Sequence, residues 1–293
     1  MKRDVMNALE PSSQRQYSAH WDRYCAFYKN FLKMTDPLDA SHQQISLYVT
    51  HLHNEGMKAP TIRSHLSSLT FYFNMLGGNT PCDSFYTQKL LKSYAKTDKP
   101  ISTREPITLQ ILTSMMQKIP DISKTLHETR MLQSLLTFMY HALTRISEVT
   151  KSTKNTHNLK PSQVVISQKE LIIKFNSYKF SKGTTTQMAI QQQPDWCPLK
   201  LYKMYNSISS PSRQAAFTHK DNKPLTPAYI RRTSKALLDA ININSHDYNT
   251  HSCRIGKATD MYKAGYTDSQ IRMAGRWTTT AYKKYIKPQI VRF

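Results

Sequence analysis

The sequence lacks the cysteine spacing of a zinc site or a disulfide framework. Its four cysteines are scattered along 293 residues, and none belongs to a C-x-x-C pair. They are Cys25, Cys82, Cys197 and Cys253. We therefore predict reduced thiols that mainly pack in cores, and no bound metal ion.

Long apolar runs are also missing. No stretch of about 18 apolar residues occurs, so no segment is predicted to span a bilayer. Residues 1–13 carry positive charge but no apolar core, which argues against a secretory signal. We expect a protein that has no membrane partner and works inside the cell. Its compartment would be the nucleus if the host is eukaryotic, and otherwise the cytoplasm.

Acidic residues are scarce relative to basic ones. The chain has 19 Asp and Glu against 41 Lys and Arg, which leaves a formal charge of +22 at pH 7. Such a surface attracts polyanions, whether nucleic acid or an anionic membrane surface. The length is sufficient for two domains with ordinary cores.

The first hundred residues predict a small helical bundle. Between residues 12 and 33, large apolar side chains recur every three or four positions, the period of one helix face. These side chains are Tyr17, Trp21, Tyr24, Tyr28 and Leu32. The same spacing recurs over 45–52 and 62–73, and residues 84–96 supply a fourth helix after a break at 77–81.

The polar faces of this bundle carry side chains of the types that bind phosphates and sugars. The candidates for DNA binding are Arg15, Arg23, Arg63, Ser64 and Ser67. A plain solvated helix face is the alternative interpretation for each of them.

A polar segment with two prolines separates the bundle from the rest of the chain. We place an N-terminal domain at residues 1–98, a linker at 99–106 and a second domain at 107–293. The second domain begins and ends with helical patterns, between which three short β-rich runs predict a three-stranded sheet. The predicted fold class is therefore mainly α with a small β-sheet: an N-terminal helical bundle followed by an α+β domain.

Two motifs of the second domain place an arginine near an acid or a histidine. The stretch "HALTRISE" puts Arg145 at the end of an apolar helix and Glu148 one turn further on, where the carboxylate can orient the guanidinium. The stretch "HSCRIG" puts His251 one turn before Arg254 at a predicted helix start, where the helix dipole favours an anion. A structural ion pair and a helix-capping histidine are the ordinary alternatives.

Taken in order, "TRISE", "YKFSKGTTTQ", "HSCRIG" and "AGRWTTTAYKKYI" resemble the catalytic domain of the tyrosine recombinases. The resemblance covers residues 107–293 and, more loosely, the bundle, which is similar to the SAM-like core-binding domain of that family. The "GRW" ending is more similar to phage-type integrases and to crypton- and DIRS-like mobile-element recombinases than to bacterial enzymes that resolve chromosome dimers.

The resemblance implies a role for each residue of the site. Arg145 and Arg254 would clamp the scissile phosphate, because guanidiniums neutralise its oxygens with a fork geometry. Trp277 would donate its indole N–H to the same phosphate, with core packing as the alternative. His251 would assist proton transfer or bind the phosphate, and Glu148 would hold the site together.

The resemblance also implies an acid and a nucleophile. A lysine between the second and third strands would protonate the leaving 5′-oxygen; Lys182 fits the pattern best, and Lys179 is the alternative. The nucleophile would be Tyr285, eight residues after the tryptophan. Tyr282, one turn earlier on the same predicted helix, would pack or contact DNA and is the alternative nucleophile.

The implied function is a site-specific DNA recombinase that integrates or excises DNA through a 3′-phosphotyrosyl intermediate, without a metal or other cofactor. Its partner would be double-stranded DNA, with four copies assembled on two sites and a monomer or dimer as the free form. Only "IKPQIVRF" follows Tyr285, so Ile290, Val291 and Phe293 would form a minimal docking peptide, or assembly would use other contacts. A type IB topoisomerase and a catalytically silent, domesticated DNA-binding protein are the alternative functions.

Overall fold

A computed structural model shows a mainly helical protein with one small antiparallel sheet, which confirms the predicted fold class. By its internal contacts the chain divides into two compact units, Met1–Ile101 and Ser102–Phe293. The described residues are 1–98, 104–151, 158–176, 185–284 and 286. Within them, no helix is both long enough and apolar enough to cross a membrane.

The first unit is the predicted helical bundle. Its helices are α1 (Lys2–Asn7), α2 (Pro11–Asn30), α3 (His42–Asn54), α4 (Ala59–Leu76) and α5 (Phe85–Thr97). Helix α1 was not predicted, because its six residues bury no side chain and so show no apolar period. Ser41 and Ser84 cap α3 and α5 by accepting hydrogen bonds from the third backbone N–H of each helix. Helix α4 ends at Gly77, whose positive φ of 83° suits glycine.

The bundle core is apolar and rich in aromatic rings. Side chains from α2, α3 and α4 meet there, and Tyr24, Tyr48 and Phe73 are fully buried. One buried polar side chain is that of His65 of α4, which is 4% exposed and stacks on His20 of α2 with 3.6 Å between ring centroids. Burial of these rings provides the main stabilisation of the bundle.

In chain order, the short sheet of the second unit comes between two groups of helices. The first group is α6 (Leu109–Ile122), α7 (Leu126–His141) and α8 (Ile146–Val149). The strands are β1 (Val164–Ile166), β2 (Glu170–Phe175) and β3 (Thr186–Gln191), in the antiparallel order β1-β2-β3. The second group is α9 (Pro198–Ser207), α10 (Pro227–Ala240), α11 (Ser252–Lys263) and α12 (Asp268–Ala274).

The strand β2 alternates as a half-buried strand should. Its residues Leu171, Ile173 and Phe175 are buried against the core, while the side chains between them are more exposed. The register pairs Ile172 of β2 with Val165 of β1 and with Ala189 of β3. The last residue of β2 therefore faces the interior of the unit.

Helix α7 is the central element of this unit, since all its residues from Met131 to His141 are buried. It packs against α6, α9 and α11. Helix α11 lies so close to the chain before α6 that a Cβ atom on Gly256 would come within 1.7 Å of the Ile107 carbonyl oxygen. The backbone N–H of Ile107 also donates to the Ser252 carbonyl at 2.9 Å, so this crossing holds α11 in place.

Candidate active site

The candidate site begins where α7 ends. The sequence predicted that Arg145 lies at the end of this helix, and that prediction is wrong. Helix α7 stops at His141, because Leu143 adopts a left-handed backbone with φ of 45°. Arg145 is instead the extended residue that precedes α8. The reversal turns the carbonyl groups of Ala142 and Leu143 toward buried arginines.

Glu148 is paired with Arg145, as the sequence predicted. The Arg145 side chain donates from Nη1 to Glu148 Oε1 at 3.2 Å, and its backbone N–H donates to Oε2 at 2.9 Å. The side chain of Glu148 is 1% exposed and that of Arg145 is 15% exposed. Arg145 therefore has one end held by the carboxylate and still reaches the surface.

A second arginine, which the sequence analysis did not identify, also binds Glu148. Arg276 donates from Nη2 to Glu148 Oε2 at 2.8 Å and from Nη1 to the Ala142 carbonyl at 3.1 Å. Its guanidinium lies 3.8 Å from the ring centroid of Phe175 at the end of β2. In the sequence, the only feature that pointed to Arg276 was its position next to Trp277. An arginine at such a position is usually interpreted as a surface charge.

Arg254 joins the same cluster from α11. Its Nη1 donates to the Leu143 carbonyl and its Nη2 to the Gly275 carbonyl. Arg276 donates to that Leu143 carbonyl as well, at 3.4 Å, so the two guanidiniums share one acceptor. Arg254 is 1% exposed, and its guanidinium lies 4.2 Å from the ring centroid of Trp277.

The tryptophan folds back over the turn that precedes it. A Cβ atom on Gly275 would come within 1.7 Å of the Trp277 ring, so only glycine leaves room there. Arg276, between these residues, has a positive φ of 54°. The turn thus depends on a glycine and on one strained residue to set the ring against Arg254.

Tyr282 is buried on the other side of the tryptophan. Its ring centroid lies 5.9 Å from that of Trp277, within a small apolar cluster that includes Leu143 and Ile271. Burial and then the Asp268 carboxylate raise the pKa of Tyr282 to about 12. The segment Thr280–Lys284 is a 3₁₀ turn and not the predicted α-helix.

His251 occupies the N-cap position of α11, at the predicted helix start. Its backbone N–H donates to Asn249 Oδ1 at 2.8 Å. Its imidazole is partly exposed. Among the residues described, no group of three or more His, Cys, Asp or Glu side chains is arranged to hold a metal ion.

The structure therefore brings four predicted residues into one connected cluster: Arg145, Glu148, Arg254 and Trp277. His251 lies one turn before Arg254 on the same helix. The remaining predictions fall outside the described residues. They are Lys182, its alternative Lys179, the nucleophile Tyr285 and the tail residues Ile290, Val291 and Phe293.

The DNA-binding candidates of the first unit lie on the paired helices α2 and α4. Arg15, Arg63 and Ser67 are exposed, and Ser64 accepts a hydrogen bond from Gln16 of α2 at 3.2 Å. Arg23 differs from them because its guanidinium binds Glu55 at 2.6 Å. Part of its charge is therefore already compensated.

The second unit has a basic helix face that the sequence analysis did not single out. Arg231 and Arg232 of α10 are exposed, and Lys235 lies one turn further along the same cleft. The signal was present in "TPAYIRRTSKALL", where basic residues recur at helical spacing opposite the buried Ile230 and Leu237.

A model of the phage integrase family matches residues 110–288. Among solved structures, XerH site-specific recombinase bound to difH substrate has a TM-score of 0.66 at 11% identity, covering 94% of this chain and 76% of that chain. The Tn1549 transposon integrase in complex with circular intermediate DNA has a TM-score of 0.60 at 12% identity, covering 86% and 83%.

A lambda integrase dimer bound to a COC′ core site is similar as well, with a TM-score of 0.58 at 11% identity and coverage of 96% of this chain and 75% of that chain. At these identities the structures establish a shared fold. No curated protein matches the sequence significantly.

Proposed function

The chain belongs to the phage integrase family, and on that premise we propose that it is a site-specific DNA recombinase that cleaves through Tyr285. The observation that carries the proposal is the connected cluster of Arg145, Glu148, Arg254 and Trp277. Burying guanidinium groups is unfavourable unless they are paired, so a fold that collects several of them in one place suits a polyanionic ligand. The phosphodiester of DNA is such a ligand.

In the proposed reaction Tyr285 gives up its phenolic proton, which His251 accepts, as its oxygen attacks the scissile phosphorus, and the bond to the 5′-oxygen breaks. Arg145 and Arg254 offset the negative charge that builds on the non-bridging oxygens. Lys182 donates a proton to the departing 5′-oxygen. The 3′-phosphotyrosyl bond conserves the energy of the phosphodiester, and a 5′-hydroxyl of the partner strand reverses the step to rejoin the DNA.

Tyr282 fits the nucleophile role less well. Its phenol is buried against Trp277, and its pKa of about 12 makes the reactive phenolate harder to form at neutral pH. We therefore assign Tyr282 to packing of the segment that carries Tyr285.

The exposure of Arg254 adds a condition to this mechanism. At 1% exposure, with both terminal nitrogens bonded to carbonyl groups, its guanidinium has almost no surface for a phosphate to meet. A phosphate that binds it must displace the Gly275 carbonyl or the Trp277 ring. We propose that DNA binding and movement of this turn occur together.

For DNA recognition we propose the exposed faces of α2 and α4, with Arg15, Arg63 and Ser67, and the basic face of α10. Among the similar solved structures, the Tn1549 integrase is in complex with circular intermediate DNA, XerH is bound to difH substrate, and the lambda integrase dimer is bound to a COC′ core site. We propose that this chain also acts on duplex DNA, as a tetramer on two sites, in the nucleus of a eukaryotic host or the cytoplasm of a bacterial one.

A nicked suicide duplex tests the proposal, because cleavage near the nick releases a short fragment and traps the protein on DNA. Substrates are drawn from the sequences that flank the native gene, and wild type is compared with Tyr285→Phe and Tyr282→Phe. We expect a denaturant-resistant adduct from wild type and from Tyr282→Phe but not from Tyr285→Phe. An adduct lost only with Tyr282→Phe would reverse the assignment.

The same proteins separate the alternative functions. Relaxation of supercoiled plasmid without any required site would favour a type IB topoisomerase. Tight, salt-sensitive DNA binding by wild type with no adduct on any substrate would favour a catalytically silent DNA-binding protein.

A further inference from the structure

The feature that the proposed mechanism leaves unused is Arg276. Its side chain is buried, with 1% exposure, and it binds Glu148 Oε2, whereas the Arg145 side chain binds Oε1. Glu148 thus lies between an outer arginine that reaches the surface and an inner arginine that does not. We call these three residues, Arg145, Glu148 and Arg276, the charge triad.

The triad holds two positive charges and one negative charge, so its formal net charge is positive by one unit. If Arg276 were absent, the buried carboxylate of Glu148 would have Arg145 as its ion-pair partner, and their charges would cancel. The cationic end presented to a phosphate would then be weakened, since a carboxylate a few ångströms away opposes the same field.

Resting on the proposed function, we infer that Arg276 is a positioning residue that compensates Glu148 and so keeps the charge of Arg145 available to the scissile phosphate. Three further contacts of Arg276 hold this arrangement in place. It donates to the carbonyl groups of Ala142 and Leu143 and lies over the ring of Phe175. Through them the inner arginine joins the end of α7 and the end of β2 to the turn before Trp277.

A charge role can be distinguished from a purely structural one by a double substitution. Arg276→Met keeps an aliphatic stem over Phe175 and lowers the triad charge from one to zero. Adding Glu148→Gln removes the carboxylate that cancels the charge of Arg145, retains an acceptor for the Arg145 backbone N–H, and restores the triad charge to one. If Arg276 acted only by holding the structure together, the added Glu148→Gln substitution would not restore the cleavage rate.

The experiment measures single-turnover cleavage of the nicked suicide duplex at saturating DNA, together with thermal unfolding of each protein. We expect Arg276→Met to be slower than wild type by about tenfold or more, and the double variant to be clearly faster than Arg276→Met. Arg276→Lys, which keeps the charge, should cleave at a rate close to that of the double variant. It also provides a test of the inference if Arg276→Met does not fold. Arg272→Gln, which removes an exposed arginine of α12, should stay within about twofold of wild type.

A double variant no faster than Arg276→Met, with both proteins folded, would overturn the inference while leaving the proposed function intact. If wild type forms no adduct, the proposed function fails, and the inference is then decided by DNA dissociation constants at one salt concentration. Weaker binding by Arg276→Met that the double variant restores supports the charge role. Equal binding by these two variants contradicts it.

Discussion

The two units of the chain bury different kinds of side chain. Within residues 1–98 the buried polar side chains are His65, Ser68 and Thr87, none of which carries a fixed charge. The second unit buries Glu148, and with it several arginines. They are Arg213, Arg254 and Arg276. The bundle is thus organised by apolar burial, as an ordinary small domain is, whereas the second unit keeps charges that burial disfavours.

The contrast indicates where the chemistry lies. Charge removed from water is destabilising unless it is compensated. For Arg254 and Arg276 the compensation comes from the Glu148 carboxylate and from the carbonyl groups of Ala142, Leu143 and Gly275. An exposed ion pair of the bundle, Arg23 with Glu55, needs no such support. If this comparison is right, similar substitutions in the two units should have very different effects.

The largest difference in stability is expected between substitutions of Glu148 in the second unit and Glu55 in the bundle. Glu148→Ala removes the carboxylate between two arginines and should lower the free energy of unfolding by about 3–5 kcal/mol. Glu55→Ala removes an exposed partner and should cost about 1 kcal/mol or less. Urea unfolding of both variants measures the contrast. Equal losses would show that the buried cluster is not a centre of electrostatic stabilisation.

The next contrast concerns two glycines. Gly256→Ala puts a methyl group against the backbone of Ile107, where only a shift of α11 could make room, and should cost about 3 kcal/mol. Gly77→Ala in the bundle meets no neighbouring atom but keeps a positive φ of 83°, and should cost about 1 kcal/mol. Thermal unfolding of the two variants compares their losses of stability. A smaller loss for Gly256→Ala than for Gly77→Ala would mean that α11 can shift to make room for the methyl group.

A pH contrast follows from His65. Burial, and then the charge of His20, lower the pKa of His65 to about 4. At pH 5 the folded chain therefore holds this histidine neutral, while the unfolded chain protonates it. The contribution of His65 to the free energy of unfolding is fully present above about pH 6.5. It falls as the pH drops toward 4, by about 2 kcal/mol between pH 7 and pH 5.

Replacement of the histidine tests this directly. Between pH 7 and pH 5, the free energy of unfolding of His65→Gln, measured with urea, should fall by about 2 kcal/mol less than that of wild type. The matched variant His246→Gln, at an exposed position of the second unit, should follow wild type. An unchanged pH dependence in His65→Gln would mean that this buried histidine does not resist protonation.

The smallest effects are expected for DNA affinity at the bundle surface. Arg63→Ala should reduce the slope of log affinity against log salt by about 0.9, as for one lost phosphate contact. Arg23→Ala should change it less, because the Arg23 guanidinium is already bound to Glu55. Filter binding over a range of salt concentrations gives both slopes. A larger change in slope with Arg23→Ala than with Arg63→Ala would contradict this prediction.

The sequence was a good guide to features that repeat along the chain. The apolar periods of α2, α4 and α7 and the β-rich runs around the sheet predicted these elements, because each repeats one local pattern over many residues. It was also sufficient for the residues of the site that belong to short motifs, such as Arg145 with Glu148.

Single backbone reversals were not predictable in the same way. The left-handed turn at Leu143 presents its carbonyl group to Arg254 and Arg276, which are more than 100 residues away in the sequence. No local sequence pattern indicates such a contact. For the same reason Arg276 could not be recognised as the partner of Glu148, 128 residues earlier in the chain. Short helix α1 escaped detection because it buries nothing.

The central claim is that two arginines of the cluster, Arg145 and Arg254, neutralise one phosphate. The most direct test compares Arg254→Ala on two suicide duplexes, one with an ordinary scissile phosphate and one with a methylphosphonate, which lacks the negative charge. We predict that the variant is inactive on the phosphate but regains measurable cleavage on the methylphosphonate, because that substrate no longer needs the missing cation. A folded variant equally inactive on both would contradict the claim and assign Arg254 to structure alone.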